Sequence, residues 1–563
     1  MGYNTLSAPL WHMMLTNGAH NLRNNAKIVN DLNVFPIPDG DTGENMSLTI
    51  EGGIKAIKES EETLGQMMSD MSMGMLLNAR GNSGVILSQF FGGLAKILET
   101  GNDASLPEIK KAFENGVTRA YASVMTPTEG TILTVIREAT EVSSKTVPDD
   151  ATLEDYFKCF NKQAHKTLKK TPDLLPVLKE AGVIDSGGAG LIYITEGMEK
   201  ALHGETVSLS ETVSQPKAAL NETSHMQFGE DSELSFGYCT ECLLQLQNRK
   251  TDIAAFDIKE MISVLETMGE SIVCVQSGSV VKLHIHTFAP GEVFNYCQRF
   301  GEFLTVKVEN MNLQHTETTI QNNYEDDTEE EEPVAAVHES ERKKIAIVAV
   351  ANGQGICDTF LGMGVDFIVH GGQTMNPSAE SFIEAFDSLN ADNIIVLPNN
   401  SNIVLTARQA ADMYEKASVW VLESKTIGDG YAALSMFDPD AGDMDTIMAD
   451  LTEAMKGVST GLVSHSVRDS HLNGLSIREG DYIGILDKDV VSDAEDVVLA
   501  SEHLLDEMDL NHRSVLILIS GKEADSDQTG EVINYINHAY PDVEVYPIEG
   551  GQDVYPFIFI SEE

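Results

Sequence analysis

In the stretch Leu32-Asn-Val-Phe-Pro-Ile-Pro-Asp39-Gly-Asp41-Thr-Gly-Glu-Asn-Met46, Pro36 and Pro38 hold the backbone extended ahead of Asp39, while Gly40 and Gly43 permit tight turns on either side of Asp41. Asp39 and Asp41 can therefore aim two carboxylates at one place, a hard-oxygen donor set suited to Mg²⁺ that bridges polyphosphate oxygens. The same residues admit a plainer reading. Asp41 followed by Glu44 has the spacing of a capping box for a helix starting at Thr42, and an isolated Asp-x-Asp is a cap or turn more often than a metal site. The readings are compatible, because a helix start beside bound cations itself favours phosphate.

Three more segments join a glycine turn to small polar or acidic side chains near a helix start. Asn78-Ala-Arg-Gly-Asn82-Ser83-Gly84-Val85 precedes the helical run Ile86 to Leu98 and offers backbone N–H groups and a hydroxyl. It lacks the lysine of a Walker A loop, and an ordinary loop would read the same. Pro127-Thr-Glu-Gly-Thr131-Ile-Leu-Thr134 and Ala181-Gly-Val-Ile-Asp185-Ser-Gly187-Gly-Ala-Gly190 are the others. Simple helix hairpins need no such chemistry, so four of these loops in one helical region argue for a nucleotide pocket at one end of a bundle.

The rest of the chain sets the context. At 563 residues it exceeds what one core supports, so about three domains are expected. Residues 1–202 carry helical periodicity throughout, and 203–231 lose it in a polar linker. Residues 232–313 read βαββαβ, the order of the ferredoxin-like split unit. An acidic run within 314–342 should stay solvated as a second linker. From 343 to 563, short β-rich runs such as Ile345 to Ala351 and Val515 to Ile519 alternate with helices, which argues a mostly parallel α/β sheet.

A formal net charge of −51 repels phosphate backbones and anionic lipid, so neither nucleic acid nor a membrane surface is an expected partner. The same charge demands cations around any nucleotide. Six scattered cysteines and no secretory signal fit a reducing cytoplasm, and no apolar run reaches the roughly 20 residues of a membrane span.

On the Leu32–Met46, Ala79–Gln89, Glu129–Thr134 and Val183–Gly188 segments, the chain resembles the nucleotide-binding subunit family of dihydroxyacetone kinases, in the branch of fatty acid kinase catalytic subunits. The resemblance implies an all-α antiparallel helical barrel binding ATP through two Mg²⁺ ions, then the α+β middle domain, then an α/β DegV-like domain. Asp39 and Asp41 match the metal-binding, catalytic aspartates. Thr42, Gly43, Asn45, Asn82, Ser83, Gly84, Thr131, Asp185 and Gly187 fall in the nucleotide loops. A further metal aspartate of the dihydroxyacetone branch falls near Asn33 here, with Asp31 as a nearby substitute, so the third ligand stays open. The implied reaction is transfer of the ATP γ-phosphate to a fatty acid held by a separate DegV-type carrier protein. The implied assembly is a homodimer. A dihydroxyacetone-type kinase and a non-catalytic lipid-binding scaffold are the competing readings. The first lacks a covalent substrate domain here, and an intact Asp39 and Asp41 pair argues against the second.

In the middle domain, Cys239 opens the first strand, and His284 and His286 sit two apart on the third. Antiparallel pairing of those strands would bring Cys239 to His286, which suits either Zn²⁺ or a half-buried sheet face with ordinary histidines. Fatty acid kinase catalytic subunits carry zinc on a similar Gly-Tyr-Cys-Thr-Glu and Leu-His-Ile-His-Thr pairing. Cys242, at an odd offset from Cys239, should point to the other face.

Overall fold

A computed structural model describes residues 3–33, 40–58, 63–209, 238–251, 253, 256, 258–265, 268–277, 279–310 and 342–562. Asp39, the 210–231 part of the polar linker and the acidic run lie outside the described residues, as do the side chains of Cys239, His284 and His286. The chain forms two compact units, one of Met1–Val213 with Glu331–Glu563 and one of Ser214–Glu330.

The N-terminal helices are α1 (Ala8–Asn30), α2 (Thr42–Ala56), α3 (Leu64–Leu77), α4 (Gly81–Leu98), α5 (Leu106–Ala122), α6 (Ile132–Thr146), α7 (Leu153–Leu168), α8 (Thr171–Leu174), α9 (Pro176–Glu180) and α10 (Ser186–Leu202). Their starts are written locally. Prolines sit in the first turns of α1 and α5, and Ser105/Glu108 and Thr152/Asp155 close capping boxes on α5 and α7. The aromatic residues of α4, α5 and α7 converge on Phe113, whose ring lies 5.4–5.9 Å edge-on from Phe90, Tyr156, Phe157 and Phe160. One departure from an all-α reading is a short antiparallel pair, β1 (Thr5–Ser7) with β2 (Asp103–Ser105). Each strand runs straight into a helix start, and the pairing satisfies backbone groups that no helix yet serves.

The middle unit runs β3 (Tyr238–Leu246), helix Ile258–Leu265, β4 (Glu270–Ser277), β5 (Val280–Thr287), helix Pro290–Cys297, β6 (Gly301–Asn310). Its sheet order is β4-β5-β3-β6, all antiparallel. Register pairs Cys239 with His286 and Glu241 with His284. Cys242 is buried in the core with Cys297 as a sulfur neighbour.

The C-terminal region departs from the single, mostly parallel sheet expected. β7 (Lys343–Ala351), β8 (Phe367–His370), β9 (Ala391–Leu397) and β10 (Ser418–Val421) do form a parallel sheet in the order β10-β9-β7-β8. A second sheet collects β11 (Val458–His465), β14 (Tyr482–Leu486), β15 (Asp489–Ala494), β16 (Val515–Ser520), β17 (Glu544–Glu549) and β18 (Phe557–Glu562). There only the β16–β17 pair is parallel. The reason is loop length: β14 and β15 are joined by two residues, too few for a crossover. Between β11 and β14 in sequence, β12 (Ser470–Leu472) turns into β13 (Leu475–Ile477) through Asn473 (φ 49°) and Gly474 (φ 84°), a left-handed pair typical of hairpins. Among the described residues no helix is long and apolar enough to cross a membrane.

Candidate functional site

The four loops singled out in the sequence meet at one end of the helical bundle. Gly43 seats α2 on α1: its N–H donates to Asn30 Oδ1 at 2.6 Å, and a Cβ there would lie 2.4 Å from the carbonyl of Ala26. Thr42 Oγ1 donates to Asn33 Oδ1 and accepts from Ser186 Oγ, each at 3.2 Å, tying the start of α2 to the start of α10. A Cβ on Gly187 would come within 3.2 Å of Ile132, which places the start of α10 beside the start of α6. Gly81, at φ 57°, opens α4 with its Cα side facing the Asn45 amide, so any side chain there would collide with it.

Asp41 occupies the N-cap position of α2, yet its side chain makes no capping bond. Glu44, the residue that would close the box, pairs instead with Arg23 at 2.6 Å, and Arg23 also holds Glu51 at 2.7 Å. The capping-box reading of this segment is therefore not realised in its side chains. The helix itself starts at Thr42 as expected.

Gly81, Asn82, Ser83 and Gly84 are the first turn of α4 rather than a loop ahead of it; the N–H groups of Gly81, Asn82 and Ser83 are the free donors of a helix start, while that of Gly84 donates to the Arg80 carbonyl at 3.1 Å. Gly84 packs on α2, a Cβ there falling 2.5 Å from Thr49 Oγ1. Asn82 donates to Asn402 at 3.2 Å, and its own Oδ1 is buried without a hydrogen-bond partner. Thr131 caps α6 by position and turns its hydroxyl back to the Thr128 carbonyl at 2.8 Å. In the same loop Glu129 is occupied by Thr134, Arg137 and the Tyr121 hydroxyl.

Asp185 caps α10, accepting from the Gly188 N–H at 2.6 Å. Burial pushes its carboxyl up to about 6, with the Gly188 and Ile132 N–H groups pulling the other way. Asp31 ends α1 as an exposed residue.

Sequence reading missed two participants from the C-terminal region, Asn376 and Asn402. The turn Leu397–Asn402 lies at the strand edge where ligands usually bind, but its asparagines read more readily as caps. Asn376 gave no signal, because only tertiary structure brings it to Asp41, to which its amide nitrogen donates.

A carboxylate at a helix start that it does not cap, a buried orphan amide oxygen and two helix starts form a donor set able to take a hydrated cation and the phosphates it carries. Among the described residues no group of three His, Cys, Asp or Glu side chains is placed to hold a metal by itself.

The DAK2 domain description matches residues 36–200, the middle domain of the FakA-like fatty acid kinase description 235–318, and the C-terminal domain of the same description 346–562. Protein YloV of Bacillus subtilis is 37% identical over 570 residues, covering 100% of both chains. Among solved structures, a fatty-acid-binding DegV family protein from Thermus thermophilus aligns at TM-score 0.29 and 15% identity, covering 39% of this chain and 100% of its own. The dihydroxyacetone kinase from C. freundii in complex with AMP-PNP and Mg²⁺ aligns at 0.29 and 16%, covering 35% of each. At those scores neither structure adds to the argument. The chain belongs to the FakA-like fatty acid kinase family, and its N-terminal domain is of a kinase type.

Proposed function

We propose that the protein transfers the γ-phosphate of ATP to the carboxylate of a fatty acid presented by a separate DegV-type carrier, giving acyl phosphate. In this reading residues 1–202 are the antiparallel helical barrel that binds ATP, 232–313 a ferredoxin-like middle domain, and 343–563 a DegV-like domain, with 203–231 and 314–342 as linkers. Asp39 and Asp41, with Asn33 nearby, hold the two Mg²⁺ ions. Thr42, Gly43, Asn45, Asn82, Ser83, Gly84, Thr131, Asp185 and Gly187 line the nucleotide. The bound Mg²⁺ supplies charge neutralisation between two anionic reactants.

The chain's own residues bind and orient. A fatty acid carboxyl is ionised at neutral pH, so no general base has to create the nucleophile. The helix starts of α2 and α4 offer oriented N–H donors to phosphate oxygens. The observation that carries the reading is the Asp41 carboxylate, which sits at the start of α2 without capping it, while the Oδ1 of Asn82 in the first turn of α4 is buried without a hydrogen-bond partner.

Zinc on Cys239, His284 and His286 belongs to the same reading and is supported by the strand register that sets Cys239 opposite His286. A homodimer in the cytoplasm completes it. The deciding experiment incubates the protein with ATP, Mg²⁺ and a fatty acid, with and without a DegV-type carrier. Acyl phosphate formed only with the carrier is the expected result. Turnover of dihydroxyacetone, or no turnover in any arm, would sink the assignment.

A further inference from the structure

The C-terminal region grips the Asp31–Asp41 segment at both ends. Arg468, from the turn after β11, donates to the carbonyl oxygen of Asp31 at 2.9 Å and to that of Asn33. Asn376, between β8 and the helix Ala379–Asp387, donates its amide nitrogen to the Asp41 carboxylate, while its backbone carbonyl faces Arg80 Nη1 at 3.4 Å. Asn376 is only 3% exposed, and its Oδ1 is buried with no hydrogen-bond partner. Its amide lies over Gly81, where a Cβ would stand 3.5 Å away. An asparagine buried with half of its amide unmet is costly unless a further group completes it.

We propose that Asn376 is a positioning residue of the nucleotide site, its N–H fixing from the C-terminal domain the orientation in which the Asp41 carboxylate would hold a cation. This rests on the kinase reading above and goes beyond it, since it makes the C-terminal domain part of the nucleotide site. Partners of metal-bound carboxylates set ligand orientation, and their removal typically weakens metal binding about 10–100-fold.

Titration calorimetry of ATP into the full chain at a series of Mg²⁺ concentrations tests this. Asn376→Ala should raise the Mg²⁺ concentration for half-maximal ATP binding about 10-fold or more. Gln409→Ala is the control: Gln409 joins the same two regions through Ser88, Gln89 and the Leu76 carbonyl, away from Asp41, and should leave that midpoint unchanged. Should Asn376→Ala fail to fold, Asn376→Gln, which keeps the amide but displaces it by a methylene, reads the same shift. An unshifted midpoint in the Asn376 variant, or an equal shift in Gln409→Ala, overturns the proposal. If Asp41→Ala still abolishes Mg²⁺-dependent binding in that case, the kinase reading survives alone. Absence of Mg²⁺-dependent ATP binding in the unaltered chain overturns both.

Discussion

Arg23 Nη1 stands 2.6 Å from the carboxylate of Glu44. That contact removes Glu44 from the helix start and separates the capping spacing of Asp41 and Glu44 from the role of Asp41 itself.

Because the Asp41 side chain makes no cap bond, the stability cost of Asp41→Ala should be that of leaving the buried Asn376 N–H without its acceptor, about 1–3 kcal/mol, rather than that of a lost N-cap. Turnover should nevertheless fall by about 10²–10³-fold or more, the scale of losing one electrostatic contact in a preorganised site. Acyl phosphate assays beside thermal unfolding check both halves; retained activity would remove Asp41 from the metal site.

Asp185 gives a pH signature in the nucleotide-free protein. Folding raises its carboxyl from 3.8 to about 6 by burial. The stability that this shift contributes is complete below about 3.8 and is lost as pH rises through about 6, on the order of 2–3 kcal/mol in all. Asp185→Asn keeps an oxygen for the Gly188 N–H and removes the charge. Urea unfolding at pH 4.5 and pH 7 should then show the variant gaining on the parent at the higher pH. Identical pH slopes in the two proteins would contradict the assignment.

The middle domain is tested by metal content. The intact chain should carry about one zinc, lost in Cys239→Ser, His284→Ala and His286→Ala and kept in Cys242→Ala, whose sulfur is in the core. Zinc-free protein on elemental analysis of a chelator-free preparation would end this reading.

Phe113 anchors four aromatic neighbours at 5.4–5.9 Å and is 3% exposed. Phe113→Ala should destabilise the N-terminal domain by about 3–5 kcal/mol. Chemical denaturation followed by hydrogen exchange in α4, α5 and α7 reads the effect; a loss below about 1 kcal/mol would mean the cluster is not packed as described.

Much of this architecture could be read from local pattern. The helical periodicity within residues 1–202, and the β-rich runs at Ile345–Ala351 and Val515–Ile519, fall on observed helices and strands. β11, β15 and β18 escaped, and with them the antiparallel second sheet, because the direction of a strand depends on its partners and its loops rather than on its composition.

The sequence by itself determined the residue types that flank Asp41: glycines permit tight turns and short polar side chains favour helix starts, and both effects act within a few positions. It also determined the offset that separates Cys239 from Cys242, since alternation along a strand has a fixed period. Only the tertiary structure decided that Arg23 would take Glu44, that four loops far apart in the chain would share one end of the bundle, and that Asn376 would donate to Asp41 across 335 positions. Such contacts come from the packing of whole elements, and no short stretch of residues encodes them.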